Sequence, residues 1–191
     1  MKKRLTICLI AASILTGLTA QEAQAQRTVN SSLMLTAEYS YPFGMNGEDF
    51  CVDLECGQYL LDSYWNSGIT GALYSSLLKN EDTMQYAQIL GFGEWMYRLA
   101  ATRSRSVNLY LGGGVFLGYE AYDPFGKLPS YYETDLGDGS FIYGMHARLE
   151  SEFYFCRNVA FVLGGRLPVN FSSPVCKVHY HVNAGIRINL K

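Results

Sequence analysis

From Phe141 to Phe155 the chain alternates without a break. The odd positions hold Phe, Tyr, Met, Ala, Leu, Ser, Phe and Phe, and the even ones hold Ile, Gly, His, Arg, Glu, Glu and Tyr. Successive strand side chains point to opposite faces, so one face is apolar and the other carries His146, Arg148, Glu150 and Glu152. Strands of globular proteins usually run about 5–6 residues, whereas ~9–11 residues of tilted strand cross the hydrocarbon of a bilayer. The alternation resumes after the turn Cys156-Arg157-Asn158. Such a segment restricts the chain to a sheet that turns one whole face to an apolar medium, and a transmembrane β-barrel does this.

The same division of faces predicts seven further strands: Leu33–Tyr41, Gly57–Trp65, Ile69–Lys79, Met84–Ala100, Val107–Glu120, Val159–Val169 and Lys177–Leu190. The facing of Ile69–Lys79 stays open, because its two faces are nearly equivalent. Pro168 has no N–H to donate and is expected to mark where its strand leaves the ladder. Connections 42–56, 80–83, 121–139 and 170–176 are mostly longer than 66–68, 101–106 and 156–158. Outer-membrane barrels have short periplasmic turns and longer outer loops, which would place both termini in the periplasm. The fold class expected is therefore all-β: an eight-stranded antiparallel transmembrane barrel of outer-membrane type spanning residues 26–191. An interior of that size is just wide enough for side chains to fill, so no through-channel is expected.

Residues 1–25 read as a signal peptide: a basic start (Lys2, Lys3, Arg4), an apolar stretch from Leu5 to Leu18, and Ala23-Gln24-Ala25 before the cut. A cut after Ala20 is the alternative. Losing Lys2, Lys3, Arg4 and Glu22 takes the formal charge from −2 to −4. A mildly acidic chain without a basic run argues against direct nucleic-acid binding. Aromatics make up 14% of the residues, which suits the aromatic girdles of membrane barrels.

With the apolar faces outward, the lumen is expected to hold a polar network of Glu38, Asp62, Glu94, Arg98, Glu120, His146, Arg148, Glu150, Glu152, Arg166, His179, His181 and Arg187. Opposite charges in so small a space would pair, and the reading favoured is structural filling rather than a relay. His179 and His181 share a face, but no inward cysteine is expected beside them, so no metal and no cofactor are assigned. Cys51 and Cys56 fall in the 42–56 connection and are expected to form a disulfide within that loop, which export permits. No spacing joins a nucleophile to a base, so no catalytic residue is assigned and the chain reads as a non-enzyme.

Four segments carry a resemblance: Gly93-Glu94, NLYLGGGVFLGYE from Asn108 to Glu120, GSFIYGMHARLESEFYF from Gly139 to Phe155, and HVNAGIRINL from His181 to Leu190. In these the chain resembles the conjugative transposon protein TraO family of Bacteroides-type mobile elements. The resemblance implies an outer-membrane component of a conjugation apparatus, a type IV secretion-like machine that moves DNA between cells. Its partners would be outer-membrane lipid and other conjugation-apparatus proteins; the resemblance carries over no catalytic residue. Two other readings stand beside it: an adhesion or surface-protection barrel acting through loops 42–56 and 121–139, and a lipid-modifying barrel enzyme.

Overall fold

A computed structural model describes residues 31–42, 49–77, 83–122, 139–156, 158–175 and 177–190. The predicted signal peptide lies outside them. Eight strands form one closed antiparallel barrel in chain order: β1 (Ser31–Pro42), β2 (Asp49–Leu60), β3 (Ser63–Leu77), β4 (Thr83–Ala101), β5 (Val107–Tyr122), β6 (Gly139–Tyr154), β7 (Val159–Asn170) and β8 (His179–Leu190). Pairing of β1 with β8, from Ser31↔Leu190 to Pro42↔His179, closes the sheet. Closure leaves no strand edge unpaired, which is what allows strands to stand in hydrocarbon at all.

The second strand departs from the sequence reading. It begins at Asp49, so most of the expected 42–56 loop is strand, and it ends at Leu60 in a hairpin whose turn is Leu61-Asp62. Asn66-Ser67-Gly68, which carries the composition of a turn, lies inside β3 and pairs with β2 and β4. Cys51 and Cys56 are five residues apart on an extended strand and face opposite ways. Cys51 is buried, Cys56 is exposed, and both are free thiols, so the expected disulfide does not form. The open question of β3 is settled as well: Thr70, Ala72 and Tyr74 are buried while Ile69 and Leu73 face out. Pro168 behaves differently on its two sides. The ladder to β8 stops at Arg166, but the ladder to β6 runs on to Asn170.

Leu61 holds a φ of 54°, in the left-handed region that costs a non-glycine residue about 1–2 kcal/mol. Leu61→Gly is expected to raise stability by about 1 kcal/mol, read as a higher urea midpoint. A lower midpoint would show that the leucine side chain contributes more than its backbone strain costs.

The outward face is banded. Trp65, Trp95, Tyr97 and Phe155 lie toward the end where β1 begins and β8 finishes, and Tyr39, Phe50, Tyr119, Phe141, Tyr143, Phe171 and Tyr180 toward the other. Between them are aliphatic residues, among them Leu35, Leu54, Ile69, Val115, Leu117, Met145, Val182 and Ile186. Tyr97 is paired with Leu111, eight positions below Tyr119 on β5. At about 3.4 Å per residue and about 40° of tilt the bands stand about 21 Å apart, close to the ~25 Å apolar band of membrane barrels.

Close strand approach accounts for the inward glycines of β5. A Cβ on Gly112 would run into the backbone of Trp95 and Met96, and one on Gly114 into that of Gly93 and Glu94. At these two points β5 lies too near β4 for any side chain, a closer constraint than room for large neighbours.

Candidate functional site

Because the apolar side chains go outward, the inward ones are left to fill a space with little water, where a charge persists only if paired. The site is a ladder of ion pairs rising through the barrel on three arginines. Arg187 is the lowest rung. It pairs with Glu150 (2.8 Å) and Glu152, donates to the hydroxyls of Tyr59 (3.0 Å) and Tyr64 (3.2 Å), and lies 4.6 Å over the Tyr64 ring. Arg148 is the central rung, meeting Glu94 at 2.6 Å, Glu150 at 2.8 Å and Glu55 at 3.0 Å. Arg166 is the upper rung. It reaches Asp53 at 3.1 Å, Glu55 at 3.5 Å and Glu38 at 3.6 Å, with its guanidinium 4.6 Å over the Phe92 ring. Shared carboxylates link the rungs: Glu150 joins Arg187 to Arg148, and Glu55 joins Arg148 to Arg166.

Two histidines extend the ladder. His146 Nε2 donates to Glu94 (2.8 Å), and His181 Nδ1 donates to Glu38 (2.7 Å). Glu120 accepts from Gln88 and from Ser173 (3.2 Å). His179 is buried near the loop end, its ring 4.8 Å from that of Tyr74. Apolar clusters flank the ladder: Tyr59, Tyr64, Met96 and Tyr110 below, and Tyr74, Tyr86 and Tyr122 above. The cavity bounded by Thr70, Phe92, His146, Arg166 and His181 amounts to about 20 Å³, room for roughly one water molecule. Among the described residues the arrangement fills the lumen and can hold the strands together across it.

Of the residues expected in the lumen, Glu38, Glu94, Glu120, His146, Arg148, Glu150, Glu152, Arg166, His179, His181 and Arg187 are buried inside it. Asp62 is not among them. It sits in the β2–β3 turn with its side chain 60% exposed and pairs there with Arg98, whose backbone N–H also donates to the Asp62 carbonyl (2.8 Å). A register shift between Arg98 and Ala100 leaves Arg98 at the rim of the lumen, partly buried. Sequence reasoning missed Asp49, Cys51, Asp53 and Glu55, all on the inner face of β2. The signal was present: Asp-Phe-Cys-Val-Asp-Leu-Glu alternates strictly from Asp49 to Glu55.

A family model described as conjugative transposon protein TraO matches residues 23–190. The chain belongs to the TraO family. No curated relative matches it in sequence. Among solved structures, Neisserial surface protein A is 15% identical with a TM-score of 0.55, over 86% of this chain and 98% of that one. OprG of Pseudomonas aeruginosa is 12% identical with a TM-score of 0.53, over 87% and 97%. The N-terminal β-barrel domain of OprF from the same organism is 12% identical with a TM-score of 0.50, over 83% and 97%. At these identities the likeness is one of fold, and the fold is that of outer-membrane barrels. Membership of the TraO family rests on the match along nearly the whole chain.

Proposed function

We propose that this TraO-family chain is an exported, non-enzymatic barrel of the bacterial outer membrane that supports conjugative DNA transfer through assembly with other proteins of the apparatus. The observation that carries this reading is the filled lumen within a chain of a conjugative transposon family. A barrel closed by three buried arginines and their carboxylates has no space for a nucleic-acid strand. A role in transfer would then be exercised from the rim and the outer wall, with lipid and partner proteins as neighbours and without direct DNA contact. Banding of the outer wall supports the membrane placement, since an apolar belt this large on a water-soluble monomer is uncommon. Surface adhesion is the less supported alternative, because one of its two loops, 42–56, is mostly strand.

An in-frame deletion assayed for mobile-element transfer tests this. Transfer is expected to fall by orders of magnitude and to return with the chain supplied in trans, while the protein fractionates with outer membrane. Undiminished transfer, or a mature chain recovered from the soluble periplasm, would refute the proposal.

A further inference from the structure

In sequence no inward cysteine is expected beside the histidines. The fold supplies one. Cys51, Glu38 and His181 lie on β2, β1 and β8, three neighbouring strands, and one ligand atom from each falls within 4.8 Å of the others. Glu38 is register partner of Cys51 on one side and of Asn183 on the other, and His181 is two residues from Asn183 on the same face. We propose that these three side chains form a zinc site that staples the seam where the first strand meets the last.

The spacing is close to what a tetrahedral ion asks. Cys51 Sγ is 3.9 Å from His181 Nδ1, and Glu38 Oε2 is 2.7 Å from the same nitrogen. Zinc–sulfur bonds of about 2.3 Å and zinc–nitrogen and zinc–oxygen bonds of about 2.0 Å need ligand separations of roughly 3.3–3.7 Å, so sub-ångström to ångström shifts suffice. A thiolate, an imidazole and a carboxylate together favour zinc over the hard cations, which prefer oxygen alone.

The surroundings are already built to orient these ligands. Asn183 donates to Glu38 Oε1 (3.1 Å), leaving Oε2 aimed at His181. The Tyr74 hydroxyl stands 3.4 Å from both Cys51 Sγ and His181 Nε2. In the metal-free state the thiol donates to Tyr74. With metal bound, the thiol proton is released to solvent and the imidazole proton passes from Nδ1 to Nε2, so that Tyr74 donates to the thiolate and accepts from Nε2–H, which is within the capacity of one hydroxyl.

Two independent features point the same way. His179 is 1% exposed, both its ring nitrogens lack a hydrogen-bond partner among the described residues, and its ring lies 6.0 Å from that of His181. That is a costly state for a buried imidazole unless a ligand completes it, and a water bound to the ion is one such partner for a ring two residues from His181 on the same face. The second feature is charge. Among the described residues eight buried carboxyl groups (Glu38, Asp49, Asp53, Glu55, Glu94, Glu120, Glu150 and Glu152) outnumber three buried arginines (Arg148, Arg166 and Arg187), a setting that favours a cation over an anion. Arg166 opposes this locally at 3.6 Å from Glu38, but it lies nearer to Asp53, at 3.1 Å.

The test uses the mature chain refolded in detergent, with zinc and cobalt as probes. Wild type and Cys56→Ser, whose thiol faces outward on the same strand, are expected to bind about one equivalent of zinc per barrel. Their cobalt forms should show a thiolate-to-cobalt charge-transfer band in the near ultraviolet. Cys51→Ser should lose that band and bind at least about tenfold more weakly, and His181→Gln should weaken binding likewise. Chelation of wild-type zinc should lower the unfolding midpoint, with recovery on re-addition, a readout that stands even where a variant fails to fold. Absence of stoichiometric zinc in folded wild type, preference for another metal, or an unchanged cobalt spectrum in Cys51→Ser would overturn the proposal.

Discussion

Arg148→Met is expected to keep the barrel from closing stably. Methionine keeps much of the length of the arginine side chain and none of its charge. The change leaves Glu55, Glu94 and Glu150, each 0% exposed, facing one another around an emptied rung. Removing one partner of a buried ion pair costs about 3–5 kcal/mol, and here three carboxylates lose the same cation. Against total stabilities of about 5–15 kcal/mol, such a loss is enough to depopulate the folded state. The measurement is gel migration without heating: the wild type should run as a compact band and the variant as the unfolded chain. Adding Glu94→Gln should restore part of the fold, because it removes one of the stranded charges and leaves His146 a neutral acceptor. A variant that keeps the compact band and the wild-type urea midpoint would show that the ladder fills the lumen without holding it.

The second large effect is expected on the outer wall. Val115 is 64% exposed, sits at the middle of β5, and lies between Gly93 and Met145 in the register. If the belt meets hydrocarbon, Val115→Arg places a charge near the bilayer midplane and should cost about 2–4 kcal/mol, measured by urea titration in lipid vesicles. The same change at Val107, the first residue of β5, should cost about 0–1 kcal/mol. The contrast between the two positions is the informative result, since an arginine is equally polar at both. Equal costs at both positions would contradict a wall banded by depth.

Much of this architecture was legible because side-chain alternation is a local property. His146, Arg148, Glu150 and Glu152 could be assigned to one face from their spacing alone, and the structure buries all four. β5 and β8 followed for the same reason. The second strand was misplaced because two local signals conflicted with a non-local one. Asn66-Ser67-Gly68 has the composition of a turn, and the cysteines and acids of 49–56 resemble a loop. The hairpin instead turns at Leu61-Asp62, where Leu61 must take a left-handed backbone that its own residue type disfavours. Pairing across the whole of β2 and β3 outweighs that local cost, and no window of a few residues contains it.

What the sequence determined by itself was the number of strands, their order and the facing of six of them, β2 and β3 being the exceptions. What only the tertiary structure decided was which charge meets which. Glu55 and Arg148 are 93 residues apart, and Glu38 and His181 are 143 apart. The second meeting depends on the register in which β1 closes on β8, and a shift of one residue in that register would turn one partner to the outer face. The same closure brings Cys51 beside Glu38 and His181, so the proposed zinc site exists only once the seam is made.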